Sequence, residues 1–380
     1  MNGTGSRLYL DHNASAPLVP PARQALAATL DHAGGNPSSA HAEGRAARRW
    51  LEEARESLAA DLKAPRDALV FTSGGTEATA LALRAAPRGA RLAVLATEHP
   101  AVLEGAQARG QLVPWPVDET GRARWGARPG TPPDLLAEGD VALVAASLAN
   151  HETGTIQDAE GLRAAATHLG ALLLLDGCQA LGRMDLDAGA TGADLLALAS
   201  HKIGGPSGIG LLLVGGERPE PLIHGGGQED GLRAGTESAW LAPAFAAAVH
   251  HAVNTLDEQR ARWTHLRARL LAALAELDAP WVLNSPQDGL ADTVNVSFPG
   301  RRGSALVQRL DLEGVAVSHG AACSTGSALP SPVLLAQGLG DERARSSLRI
   351  SFGPEHDDQD VDRFVAALCR TLDDVRPRTP

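Results

Sequence analysis

Three groups able to do chemistry stand just after apolar runs in this 380-residue chain. "ALVFT" (68–72) leads into "SGGTEATALALR" (73–84), where Gly74, Gly75 and Thr76 open a helical stretch. The backbone N–H groups and dipole of such a turn form a cradle for phosphate, and Thr76 adds a hydroxyl donor. Neither a Gly-Lys-Ser/Thr ending nor a G-x-G-x-x-G turn is present, so this is not a nucleotide loop of either kind. "ALLLLD" (171–176) ends on Asp176, and Gln179 follows closely. A carboxylate at the end of a buried strand is costly unless it meets a cation or caps a helix. "ALAS" (197–200) then runs into His201 and Lys202, ahead of a Gly/Pro-rich turn. A lysine desolvated in a concave site can lose its proton and bond a carbonyl carbon. Taken singly, these are an N-cap turn, a capping acid and a solvated lysine. Taken together, an anion cradle, an acid and an amine are what pyridoxal phosphate requires.

A fourth group is a thiol. Free cysteines usually hide in apolar cores, yet Cys323 lies in "VSHGAACSTGS" (317–327), whose small and polar residues predict a solvent-facing loop. Of the other two cysteines, Cys178 reads as a small buried filler. Cys369, in "VDRFVAALCRTL", reads as part of a helix's apolar face. "HGGG" (224–227) is similar to an esterase oxyanion loop, but the chain has no G-x-S-x-G elbow. His250 and His251 have no partners at metal-ligand spacing, and no metal is expected.

The elements that must carry these groups alternate. "ALVFT", "RLAVLA" (91–96), "VALVAAS" (141–147), "ALLLLD" and "DLLALAS" (194–200) read as buried strands, with helices such as 76–86 and 158–169 between them. That alternation predicts an α/β fold with a mainly parallel sheet covered on both faces. "IGLLLV" (209–214) follows a Gly-rich turn and can pair antiparallel. One long helix is expected from Ser238 to Leu277, leaving the large domain. "TVNVSF" (293–298), "SLRISF" (347–352) and an amphipathic helix near 358–374 then predict a smaller α+β domain. Ligands of open α/β sheets sit beyond the carboxyl ends of the strands, which is where the three groups fall.

The net charge is −11, from 34 basic and 45 acidic residues, which argues against a dedicated nucleic-acid binder. Three widely spaced cysteines make no disulfide framework. No run approaches a membrane span, and no apolar signal core opens the chain. A soluble, cytoplasmic protein with no membrane partner is expected.

At this point the chain resembles a known family, the cysteine desulfurases of the NifS/IscS type, within the class V aminotransferase group of fold-type I pyridoxal-phosphate enzymes. The resemblance runs through "YLDHNASAP" (9–17), "GNPSSAH" (35–41), "FTSGGTEA" (71–78), "TEHPAVL" (97–103) and "NHETGTIQ" (150–157). It continues through "DGCQALGR" (176–183), "SHKIGGPSGIG" (200–210), "HGGGQEDGLRAGT" (224–236), "GAACSTGS" (320–327) and "SSLRISFG" (346–353). It implies a large domain (15–255) with a seven-stranded sheet. It also implies a small domain (1–14 and 256–380) bearing a cysteine loop at about 318–331.

The resemblance further implies roles. Lys202 matches the lysine that bonds the cofactor aldehyde, Asp176 the acid at the pyridine nitrogen and Gln179 the side chain at the ring hydroxyl. His99 matches the imidazole on the cofactor face that moves protons. Gly75, Thr76, Ser200 and His201 fall at the phosphate. Thr236 matches a phosphate contact made by the other subunit of a homodimer. Asn150 falls near both the cofactor ring and the substrate, and Asn13 and Arg349 fall at the substrate, with Arg349 clamping its carboxylate, as a guanidinium fork suits. From the residues alone, Arg349 would be a sheet-edge or surface charge.

The implied reaction takes L-cysteine to L-alanine and leaves a persulfide on Cys323, for transfer to an acceptor protein in iron–sulfur assembly, tRNA thiolation or another sulfur route. A thiol of ordinary pKa is only a few per cent ionised at pH 7, so a neighbour such as His99 or His319 should assist. A selenocysteine lyase, another C–S lyase or aminotransferase, and an inactive scaffold for sulfur carriers are the alternatives. The chain departs from the family pattern at Ala199, where a second hydroxyl is usual, and the sequence leaves open whether Ser200 compensates. It departs also at Cys178, at "KIGGPSG", and at His12, His151 and His319.

Overall fold

The computed structural model describes residues 7–31, 34–137, 140–320 and 329–374. Cys323 lies outside them. Seven strands form the large sheet: β1 (Leu69–Thr72), β2 (Arg91–Leu95), β3 (Gln111–Trp115), β4 (Val141–Ser147), β5 (Leu172–Asp176), β6 (Leu195–Ala199) and β7 (Gly210–Val214). Their order is β1-β7-β6-β5-β4-β2-β3. Only β7 runs against the rest, pairing antiparallel with both β1 and β6.

Most of these strands are apolar on both faces because both faces are covered. Successive residues of β5 show it: Leu173 and Leu175 join one core cluster, with Leu51, Leu58 and Phe245, while Leu174 joins the other, with Leu81 and Val102. The helix Ala42–Asp61 lays Ala47, Leu51, Ala54 and Leu58 on one buried stripe. The helix Ala159–Leu169 is capped at its start by Asp158, which accepts from Gly161 N, and ends at Gly170 in the left-handed region (φ 66°).

The expected single helix over 238–277 is two helices, Ala242–Asn254 and Leu256–Ala275, broken at Thr255. The Thr255 hydroxyl donates to the His251 carbonyl at 2.9 Å, and such a local bond competes with helix continuation. The first helix packs on Pro20–Leu30 and Ala42–Asp61, the second on Asp358–Asp374. A third apolar cluster gathers Leu8 and Leu10 with Trp263, Leu270, Val294, Phe298, Ile350 and Phe364. It backs an antiparallel sheet of Val282–Leu283, Thr293–Ser297 and Ser347–Ser351. Leu8–Tyr9 pairs in parallel with Val315–Ala316, so the start of the described chain belongs to this second body.

Candidate active site

The carboxyl ends of β1, β4, β5 and β6 converge. Ser147 and Asp176 stand opposite each other in register, as do Asp176 and Ala197. β1 runs into Gly74, whose φ of +155° suits glycine, and then into the helix Gly75–Ala82. The turn is tight: a Cβ on Gly210 would fall 2.7 Å from the Gly74 backbone, and one on Gly75 would fall 2.8 Å from Cys178 Sγ. Thr76 is exposed at the first turn of this helix. Glu77 fastens the turn by accepting from Ser73 N at 2.7 Å and from Arg233 Nε at 2.8 Å. Arg233 lies three residues before Thr236, which is exposed.

Lys202 follows β6 in a short 3-10 turn. Its Nζ donates to the carbonyls of Asn13 (2.7 Å) and Ala14 (3.0 Å). Burial lowers its pKa to about 8, with Arg349 and Arg183 acting the same way and Cys178 and Asp176 opposing. Asp176 accepts from Cys178 N at 2.8 Å. Gln179 Nε2 donates to Asn13 O at 3.0 Å, and its buried Oε1 has no partner among the described residues. His201 is held at a pKa of about 4 by burial and by Lys202. His99 caps the helix Pro100–Arg109 by accepting from Ala101 N, and burial lowers its pKa. Burial also lowers His319. Both imidazoles are therefore neutral near pH 7, and suit proton acceptance rather than charge stabilisation of a thiolate.

Arg349 is buried, not a surface charge. One amino group pairs with Asp11 at 2.6 Å and the other donates to His151 O at 2.9 Å, while Nε is buried without a partner among the described residues. Asn13 and Asn150 are turned to internal work. Asn13 Nδ2 donates to Thr293 Oγ1 at 2.9 Å. Asn150 Nδ2 donates to Thr97 O, and its Oδ1 accepts from the backbones of Glu152 and Thr153.

The hydroxyl missing at Ala199 was an open question. Ala199 faces the phosphate-type turn, its Cβ 3.4 Å from where a Gly75 Cβ would be. Ser200, the next residue, packs its Oγ against Gly205 and is fully enclosed. Ser200 opens the 3-10 turn Ser200–Lys202, and its enclosed Oγ lies beside Gly205, whereas Ala199 lies beside Gly75. Cys178 is buried beside the turn, as a filler would be. Cys369 is only half-buried.

Sequence reasoning passed over three acids. Asp11 holds Arg349. Glu98 is enclosed and accepts twice from Ser147; burial lifts its pKa to about 8, and Asp176 adds to the shift. Glu152 is enclosed as well, and burial lifts its pKa to about 7. Each adjoins a residue singled out in the sequence, and that adjacency is the one available signal. Among the described residues, His12, Glu355 and His356 could together face a metal. However, His356 Nδ1 accepts from Gly353 N at 2.7 Å. The proton then sits on Nε2, which cannot be a ligand, and His12 Nε2 pairs with Glu355 at 2.9 Å.

A mainly parallel sheet with a glycine turn, a strand-end acid and a desolvated lysine at one edge defines a class of enzyme. The Aminotransferase class-V family matches over residues 8–364, and the chain belongs to it, a family that works with pyridoxal phosphate. Within that family it groups with the cysteine desulfurases of the IscS/NifS type. The IscS-like cysteine desulfurase of Mycobacterium tuberculosis is 39% identical over 377 residues, covering 95% of each chain. A NifS-like protein superposes with a TM-score of 0.88 at 29% identity, covering 97% of this chain and 100% of that one. The solved structure of SspA in complex with cysteine matches with a TM-score of 0.76 at 27% identity, covering 91% and 99%. No described helix is long and apolar enough to cross a membrane.

The residues present suit the family's cofactor. A Cβ at Gly75 would run into Cys178, a buried amide oxygen on Gln179 has no partner among the described residues, and burial lowers the pKa of the Lys202 amine to about 8.

Proposed function

We propose that this chain is a cytoplasmic pyridoxal-phosphate-dependent cysteine desulfurase that converts L-cysteine to L-alanine and leaves the sulfur on Cys323. The observation that carries the reading is Lys202: an amine whose pKa burial lowers to about 8, at the carboxyl edge of the sheet, following the strand beside Asp176. Lys202 would hold the cofactor's aldehyde, Asp176 its ring nitrogen and Gln179 its ring hydroxyl. Gly75, Thr76 and His201 would hold its phosphate. When bound, the group supplies an electron sink for carbanion chemistry at the substrate's α-carbon.

The chain's own residues then have definite tasks. The Arg349 guanidinium, oriented by Asp11 and His151 O and with a buried Nε that has no partner among the described residues, would bind the substrate carboxylate. Fixing the substrate this way makes the later step nearly unimolecular. Lys202, as a neutral amine, takes the proton from the α-carbon. His99, neutral and with Nδ1 occupied by Ala101 N–H, can pass a proton only through Nε2. The Cys323 thiolate attacks the substrate sulfur. An S–S bond forms as the C–S bond breaks, and the electron pair left on carbon takes a proton to give alanine. The persulfide on Cys323 is then handed to an acceptor protein.

We further propose that two copies complete each site. Thr236 is exposed, and the loop before it is tied by Arg233 to Glu77. From there it would reach the phosphate of the partner's cofactor. The division between the two bodies would fall near residue 255, with Phe245 and Val249 before it in one core cluster and Trp263, Leu266 and Leu270 after it in another.

The test is direct. The cofactor-loaded chain should release alanine from L-cysteine, with sulfide when a reductant is present. Lys202→Ala should abolish the cofactor's bound-state absorbance. Full alanine release by Cys323→Ser would defeat the persulfide step.

A further inference from the structure

Glu229 and Asp230 hold positive φ values, 50° and 51°, one after the other. Lys63 is the only other non-glycine residue with positive φ among the described residues. Left-handed backbone at such residues persists only where surrounding contacts over-determine it. Here the contacts belong to Glu229, whose side chain is 1% exposed. Its Oε1 accepts from Arg55 Nη2 at 2.6 Å, and its Oε2 accepts from Arg55 Nη1 at 3.0 Å and from Phe71 N at 2.8 Å. Arg55 Nη1 also donates to Leu69 O at 2.5 Å. Leu69 and Phe71 lie on β1, the edge strand that runs into the glycine turn. The fork pair thus grips the free edge of that strand just before Gly74.

The same loop is held on the other side of the turn. Arg233 Nε donates to Glu77 Oε1 at 2.8 Å, and Glu77 belongs to the helix Gly75–Ala82. Within the loop, Gly235 N donates to Gln228 Oε1 at 3.0 Å, and Gly231 N to Gly227 O at 3.1 Å. Glu229 and Arg233 therefore fasten one loop to both flanks of the phosphate-type turn, and Thr236 follows closely. A buried ion pair is a poor source of stability beside an apolar pair, and its best-attested use is to fix register. A bidentate fork adds a fixed direction. What is registered here is the loop that ends at Thr236.

We propose that Glu229 and Arg233 are positioning residues for the cofactor phosphate of the other subunit: they gauge Thr236 from this chain's own turn and present it to the partner. This rests on the reading of Thr236 as a contact across a dimer. The two sites of the dimer are thereby linked, because each turn sets the loop that completes its neighbour.

The experiment uses the full chain, stripped of cofactor and titrated with pyridoxal phosphate by absorbance. Thr236→Val should weaken binding about 10-fold, as loss of one hydrogen bond to a charged group can. Arg233→Gln should weaken it about 5- to 10-fold, and the double variant should bind no more weakly than Thr236→Val alone. In the cofactor-free chain, Arg233→Gln should also speed amide hydrogen exchange at Gly231 and Gly235 about tenfold. Mixed dimers then assign the direction. One chain carries Lys202→Ala, so only the other chain's site can bond the cofactor aldehyde. Arg233→Gln placed on the Lys202→Ala chain should weaken the intact site. Placed on the chain that holds the intact site, it should leave affinity within about twofold. Glu229→Gln, which strands the Arg55 charge, should act in the same direction; if it does not fold, Arg233→Gln alone decides. Additive losses, unchanged exchange, wild-type affinity in Arg233→Gln, or a loss that follows the chain's own site would each overturn the proposal. Wild-type affinity in Thr236→Val would instead remove the reading of Thr236 on which it rests.

Discussion

Both carboxylate oxygens of Glu98 accept from one residue, Ser147: the backbone N–H to Oε1 and the hydroxyl to Oε2, each at 2.6 Å. With no cation among its partners, the acid is neutral until about pH 8. In the unfolded chain it ionises near 4.5, so between these values the folded protein holds an extra proton. Stability from this group is complete below the unfolded value and is lost as pH rises towards 8. Buried His99, His151 and His201 act in the opposite sense, and their effect is largely complete by about pH 7. Urea unfolding at pH 7 and 8 should therefore show a loss of up to about 1.4 kcal/mol in the wild type from this group. Glu98→Gln, which imitates the neutral acid, should remove that loss; an unchanged difference would mean Glu98 is already ionised.

Lys202 makes a prediction that needs no cofactor. Its amine is buried against two carbonyls and deprotonates near pH 8 instead of 10.5. Competitive labelling of the cofactor-free chain with an amine reagent, at a series of pH values, should give a midpoint near 8 for Lys202. Lys63 is the chain's only other lysine, so one peptide assigns the label. A midpoint above 10 would show that the lysine is solvated and is not poised to capture an aldehyde.

The fold was largely legible because its central strands are covered on both faces and so read as unbroken apolar runs. β3 was not, for a physical reason. It is an edge strand with Gln111 and Pro114 exposed, and an edge tolerates a proline that a central strand would not. Lys202, Asp176 and the glycine turn were legible because each follows a strand. Glu98, Glu152 and Asp11 were not, since what defines them is a distant partner: Ser147, Ser331 and Arg349. Burial of Arg349 likewise depends on packing that no local pattern encodes.

Arg183 and Asp292 form an ion pair at 2.6 Å with both side chains enclosed. Arg183 also donates to Lys202 O at 3.0 Å, so the pair braces the turn that carries the lysine. Removing one partner strands the other charge, and Asp292→Ala should cost about 3–5 kcal/mol in urea unfolding. Asp292→Asn, which keeps an acceptor but not the charge, should cost less. A loss under about 1 kcal/mol for Asp292→Ala would place the pair in the class of solvated surface bridges.

Ala199 and Ser200 give opposite expectations for the phosphate. Ser200 Oγ is fully enclosed and has no partner among the described residues, so Ser200→Ala should leave cofactor affinity unchanged. Stability should stay level or rise by about 1 kcal/mol, because an unsatisfied buried hydroxyl is lost. Ala199→Ser places a hydroxyl towards Gly75, on the side where the helix Gly75–Ala82 presents its first N–H groups. If the phosphate binds there, the added donor should tighten cofactor binding roughly 5- to 10-fold, as one hydrogen bond to a charged group can. Titration of the cofactor-free chain with pyridoxal phosphate, followed by absorbance, measures both. Weaker binding in Ser200→Ala with no gain in Ala199→Ser would reverse the assignment and return the phosphate to the Ser200 face.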